Sequence, residues 1–169
     1  MKKLKVVFDT NIFVSAAMFP GGLPEELLKT AFSGGFLLGV SKDILEELSI
    51  VYLRKFHLSR ESVNEQIKRI LKNAVFVEGT ERIDIVKADK SDNKILECAV
   101  DYKADVLVSG DSHLLQIKKY KGIAILRPAE FMNLYRDDGT FVREKRVKYL
   151  TAGSKETRVR KVKNTKKRR

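Results

Sequence analysis

Short apolar runs that alternate with helical patterns constrain this chain more than any other feature. Leu4-Lys5-Val6-Val7-Phe8 is β-branched and stops at Asp9-Thr10-Asn11, residue types that end a strand and cap a helix. Ile12 to Met18 then read as one or two helical turns, broken by Phe19-Pro20-Gly21-Gly22. Pro24-Glu25-Glu26 opens a second helix, which stops at Gly34-Gly35. Phe36 to Val40 forms a second strand, and Ser41 caps a third helix that turns Ile44, Leu45, Leu48, Val51 and Tyr52 inward. Further along come a helix over 60–73, a strand at Val75-Phe76-Val77 and a weakly strand-like Ile83-Asp84-Ile85-Val86. A helix from Asp92 carries Ile95, Leu96, Ala99 and Val100 inward and precedes the strand Asp105-Val106-Leu107-Val108. A short helix from 112, a strand at Ile123-Ala124-Ile125-Leu126 and a helix after Arg127-Pro128 bring the folded part to about Tyr135.

This alternation predicts an α/β fold of three layers, α/β/α, around a mostly parallel sheet buried on both faces. In such sheets ligands collect at the carboxyl ends of the strands, near the point where strand order reverses. Two polar turns take that position, Asp9-Thr10-Asn11 and Ser109-Gly110-Asp111.

The chain's 169 residues fit one domain, and its net charge of +12 is unevenly placed. Residues 143–169 hold 13 Lys/Arg against Glu144 and Glu156, a net +11, which leaves +1 for 1–142. We therefore expect a nearly neutral globular domain over 1–142 and a basic, flexible tail over 143–169. In that tail Arg158, Arg160, Lys161, Lys163, Lys166, Lys167, Arg168 and Arg169 are candidates for following a phosphate backbone, and a solvated end with no such contact is the plainer alternative. Cys98 is alone, so no disulfide framework exists, and no apolar run approaches the roughly 18 residues of a membrane helix. A cytoplasmic location without membrane association is the expectation.

Four acids share a layout. Asp9 and Asp111 leave strand ends, Asp92 starts a helix, and Glu47 lies about one and a half turns into another. Singly, each aspartate reads as a helix cap. Gathered at one sheet edge, they repel by roughly 3 kcal/mol per pair at about 5 Å and an effective dielectric near 20, a cost that a divalent cation removes. Oxygen donors favour a hard cation, Mg²⁺ or Mn²⁺, and His57, His113 and Cys98 do not make a zinc set. Such sites serve phosphoryl transfer on phosphate esters. A phosphatase with paired aspartates after the first strand is disfavoured because the second position is Asn11, which cannot transfer protons. A receiver domain would want a second acid near Asp9, and no glycine-rich phosphate loop occurs.

The same residues resemble a family. Val6 to Ala16 resembles the opening motif of PIN-domain ribonucleases, and Ser41-Lys42-Asp43-Ile44-Leu45-Glu46-Glu47-Leu48 is similar to their second segment. Asp89 to Ala99 resembles the third motif and Ala104 to Leu115 the fourth, so the likeness runs in order from residue 4 to about 135. It is strongest to the branch of toxins of toxin–antitoxin systems related to VapC. The resemblance implies a Rossmann-like sheet of about five parallel strands, a Mg²⁺ or Mn²⁺ site, and hydrolysis of single-stranded RNA that leaves a 5′-phosphate. Carried over by position, Asp9 and Asp92 would be metal ligands, and Glu47 and Asp111 would complete the catalytic and metal-binding set. Thr10, Asn11 and Ser109 would steady the carboxylates. Glu46 lies about 100° around the helix from Glu47, so only one of the two should face the site. His113 stands where many relatives have another acid, and a capping or surface role is its plainer reading. The implied partners are RNA, an antitoxin protein whose Arg or Lys pairs with the acids, and a second copy in a homodimer. The competing expectation is a catalytically silent RNA-binding module of the same fold that uses the basic tail.

Overall fold

The computed structural model describes residues 3–87 and 90–135. The tail beyond 142, the boundary there and all eight candidate basic residues from Arg158 to Arg169 lie outside the described residues. Among the described residues no helix is long and apolar enough to cross a membrane.

The elements follow in the order β1 (Lys5–Phe8), α1 (Thr10–Met18), α2 (Leu23–Phe32), β2 (Leu37–Ser41), α3 (Lys42–Arg54), α4 (Arg60–Asn73), β3 (Val75–Val77), α5 (Lys90–Asp101), β4 (Val106–Val108), α6 (Ser112–Ile117), β5 (Lys119–Tyr120), β6 (Ile123–Leu126) and α7 (Pro128–Leu134). The sheet order is β3-β2-β1-β4-β6-β5. Five strands are parallel, as expected, and β5 adds a short antiparallel edge beside β6. That edge escapes the sequence reading because it is only two residues long and its turn, Lys121-Gly122, lacks the Asn-Gly signal. Both turn residues hold positive φ, 44° and 87°.

Successive residues of a strand point to opposite faces, and every residue of β4 and β6 is buried. Helices must therefore cover both faces, which accounts for the runs of Val, Ile and Leu without alternation. Caps set several helix starts. Ser41 accepts from the Ile44 N–H at 3.4 Å and Ser59 from the Ser62 N–H at 3.1 Å. β2 approaches the end of α5 closely enough that a Cβ at Gly39 would collide with the ring of Tyr102, the residue that follows the helix. The glycine is thus a steric requirement of this packing.

Residues 83–86 are not a strand, contrary to expectation. Their amides bond to side chains of α5 in place of a neighbouring strand. Glu97 Oε1 accepts from Ile83 N–H at 2.9 Å, and Asn93 Oδ1 accepts from Ile85 and Val86 N–H at 3.1 and 2.9 Å. The Asn93 amide donates back to the Val86 carbonyl at 2.9 Å, and Asp101 accepts from the Thr80 N–H at 3.0 Å and hydroxyl at 2.9 Å. Positions 93, 97 and 101 share one helix face by their four-residue spacing, so α5 holds the whole segment by a row of acceptors.

Candidate metal centre

The sheet reverses direction of growth between β1 and β4: β2 and β3 extend it on one side, β4 and β6 on the other. The carboxyl ends of these two central strands therefore flank the crevice in which open α/β sheets bind ligands. Asp9 leaves β1 there, and Ser109-Gly110-Asp111 leaves β4. The backbone is continuous with the ladder up to this point, the Asp9 N–H donating to the Val108 carbonyl at 2.9 Å.

Asp9 caps α1 and is buried. Its Oδ1 accepts from the Asn11 N–H at 3.2 Å and its Oδ2 from the Ser109 hydroxyl at 2.7 Å. Burial pushes the Asp9 carboxyl above its ordinary value; the bonds from Ser109 and Asn11 oppose that rise, and the negative charges of Glu47 and Asp111 add to it. Glu47 and Asp111 thus each lie within electrostatic reach of Asp9.

Asp111 caps α6, its Oδ1 accepting from the His113 N–H at 2.7 Å and the Leu114 N–H at 3.4 Å. Its own N–H donates to the Ser109 hydroxyl at 2.9 Å, so this one side chain links both strand exits. Glu47 is partly exposed on α3 and accepts from the Thr10 hydroxyl at 2.8 Å. Glu46 is directed elsewhere, exposed and 3.3 Å from Lys42 one turn back. Of the expected supporting groups, Thr10 and Ser109 act through their hydroxyls. Asn11 contributes its backbone N–H, while its residue is exposed.

Asp92 is buried in the first turn of α5 and stands beside a residue that the sequence reading left out of the site. His113 Nδ1 lies 3.7 Å from Asp92 Oδ2 and 3.4 Å from Asp111 Oδ1. One potential ligand atom from each of Asp92, Asp111 and His113 falls within 4.8 Å of the others. The available signal was positional. His113 lies in the first turn of the helix that Asp111 caps, two residues on, so both side chains leave the same end of α6.

Asp111 is the common member of the two groups, Asp9 with Glu47 and Asp92 with His113. The donor set fits a divalent cation in its chemistry: carboxylates dominate, two of them are buried, and burial with mutual repulsion works against Asp9 being charged unless a counter-charge is present. Asp92 and Asp111, whose ligand atoms lie together, and Asp9, tied to Asp111 through Ser109, are the residues that would hold such an ion. Cys98 is not among the residues whose ligand atoms come together there, and burial pushes its thiol up to about 12.

The family model of the PIN domain matches residues 5–113, a span that takes in Asp9, Glu47, Asp92 and Asp111. An uncharacterized protein of Methanocaldococcus jannaschii is 28% identical over 120 residues, which are 69% of this chain and 76% of that protein. Among solved structures, VapBC2 from Rickettsia felis bound to a DNA fragment from their promoter has a similar fold. Its TM-score is 0.53 at 15% identity, over 73% of this chain and 98% of the matched one.

Proposed function

Because the chain belongs to the PIN domain family, whose members are generally nucleases, we propose that it is a metal-dependent endoribonuclease acting on single-stranded RNA, and that its biological setting is a toxin–antitoxin pair. The observation that carries the reading is the meeting of Asp9 and Asp111 at the reversal point of the sheet, tied through one serine and joined by Glu47, Asp92 and His113. Asp9, Asp92 and Asp111 would hold a Mg²⁺ or Mn²⁺ ion, which would supply positive charge to the scissile phosphate and acidity to a water molecule. The chain's own part is orientation. Ser109 fixes Asp9 and Asp111 relative to each other, and Thr10 fixes the Glu47 carboxylate. Glu47, partly exposed and bonded to Thr10, is the group we assign to orient the attacking water and receive its proton as the water oxygen bonds to phosphorus, the departing 3′-oxygen taking a proton from solvent.

A single-stranded substrate agrees with a site in the crevice at the carboxyl ends of β1 and β4, where a splayed backbone reaches buried carboxylates that a duplex groove would keep at a distance. The basic residues over 143–169 would lengthen the contact along the backbone by counterion release. The antitoxin, in this reading, places an Arg or Lys among the acids, and a homodimer is the proposed assembly. The R. felis neighbour is itself a VapBC assembly on promoter DNA, which supports the toxin setting by likeness of fold.

The test is cleavage of a mixed-sequence single-stranded RNA by wild type, Asp9→Asn and Asp92→Asn, each with Mg²⁺, Mn²⁺ or EDTA, with circular dichroism as the control for folding. Cleavage by wild type alone, and only with metal, is expected. Undiminished cleavage by either folded variant would overturn the assignment, and salt-sensitive RNA binding without any cleavage would establish the silent RNA-binding module instead.

A further inference from the structure

We propose that His113 is a nitrogen ligand of the divalent ion, which makes the centre a mixed oxygen–nitrogen site that prefers Mn²⁺ to Mg²⁺. The inference rests on the metal-dependent reading above and departs from the all-oxygen donor set that the four acids suggest. Its basis is geometric. Donor atoms roughly 2.1 Å from a small divalent ion lie about 3.0 Å apart when adjacent and about 4.2 Å apart when opposite. The separations of His113 Nδ1 from Asp111 Oδ1 and Asp92 Oδ2, 3.4 and 3.7 Å, fall inside that interval.

The local fold makes the arrangement a fixed one. Asp111 is held by two backbone N–H groups and its own N–H is held by Ser109, so its carboxylate and the first turn of α6 move as a unit. The backbone from which the His113 imidazole projects is positioned by the same bonds that position Asp111. Asp92 is buried on the opposing α5, whose first turns are anchored through Asn93 to the Ile85 and Val86 amides. His113 retains 44% of its side-chain exposure, which leaves the approach to the ion open to a phosphate. Imidazole nitrogen suits Mn²⁺ better than Mg²⁺, which holds oxygen ligands and water more strictly.

A protonated His113 acting only as counter-charge to the two aspartates would make the same ion pairs and no bond to a metal. Mn²⁺ separates the two cases, because an imidazole directly bound to it imprints nitrogen modulation on its electron spin echo. The full chain is titrated with Mn²⁺ and, separately, with Mg²⁺ by calorimetry, and spin echoes are recorded for wild type, His113→Gln, Asp92→Asn and His57→Gln. His57, the chain's other histidine, is exposed between α3 and α4 and serves as the control.

Nitrogen modulation is expected in wild type and His57→Gln and absent in His113→Gln. That variant should also lose about tenfold in Mn²⁺ affinity and less than about threefold in Mg²⁺ affinity. Modulation that persists in His113→Gln, or is absent from wild type while Asp92→Asn still abolishes Mn²⁺ binding, overturns the ligand role of His113 and leaves the metal site standing. Mn²⁺ binding unaffected by Asp92→Asn, together with cleavage in EDTA, overturns the site itself and this inference with it.

Discussion

The hydroxyl of Ser109 donates to Oδ2 of Asp9 across 2.7 Å and accepts from the Asp111 N–H at 2.9 Å, joining residues 100 positions apart in the chain. Ser109 is completely buried, so no water replaces either bond. Ser109→Ala is expected to cost about 1–3 kcal/mol, since a buried carboxylate oxygen and a backbone N–H both lose a partner. Urea denaturation measures it. A change below about 0.5 kcal/mol would mean that the two strand exits are held by other contacts.

Asp9 also makes stability depend on pH in EDTA. Its folded value is raised above the ordinary 3.8, so the folded state binds the proton more tightly than the unfolded one. Ionisation of Asp9 therefore opposes folding, an effect absent below the unfolded value and complete above the folded one. Asp9→Asn removes this ionisation, so its stability relative to wild type is expected to rise as the pH goes from about 4 to neutral, whatever the fixed cost of losing one of the two acceptor oxygens. Thermal melts across that range decide it, and a gap independent of pH would show that the carboxylate's charge is not the cause.

Glu46 and Glu47 are neighbours with different surroundings. Glu46 meets only an exposed lysine in a helical pair, worth about 0.3–0.5 kcal/mol, whereas Glu47 is bonded to Thr10. Glu46→Gln should leave RNA cleavage within about twofold of wild type. Glu47→Gln should lower it by about 100-fold or more, as expected for a positioned acid–base group. Thr10→Val, which keeps the shape and removes the donor, should fall between them. Equal rates for the two Glu variants would remove Glu47 from the mechanism.

Hydrogen exchange tests the segment that α5 holds. Asn93 makes three bonds to residues 85 and 86, and Asn93→Ala should speed exchange of the Ile85 and Val86 amides by roughly ten- to a hundredfold, one to two bonds' worth of protection, while β4 amides change little. A uniform acceleration across the sheet would instead mean that Asn93 supports global stability.

Gly39→Ala is a test of the β2–α5 contact. The added Cβ meets the Tyr102 ring, whose hydroxyl also donates to the Leu37 carbonyl at 3.4 Å. A loss of about 2–3 kcal/mol is expected from overpacking, and Tyr102→Leu in the same chain should recover part of it.

By itself the sequence determined the kind of fold and which acids leave strand ends or stand in the first turns of helices. Apolar runs such as Val106-Leu107-Val108, without polar alternation, admit only strands covered on both faces, and Ser41, Ser59 and Pro24 mark helix starts through local chemistry. Asp9, Glu47, Asp92 and Asp111 were legible as a set because their offsets from strand ends and helix starts are local quantities. Three things depended on tertiary structure. Residues 83–86 became a clamped loop because Asn93 and Glu97 supply acceptors from another element, which no local pattern reports. β5 arose from a two-residue pairing too short to carry a period. His113 joined Asp92 because α5 and α6 meet at one sheet edge, and the direction of a side chain across that gap is set by packing between elements that lie far apart in sequence.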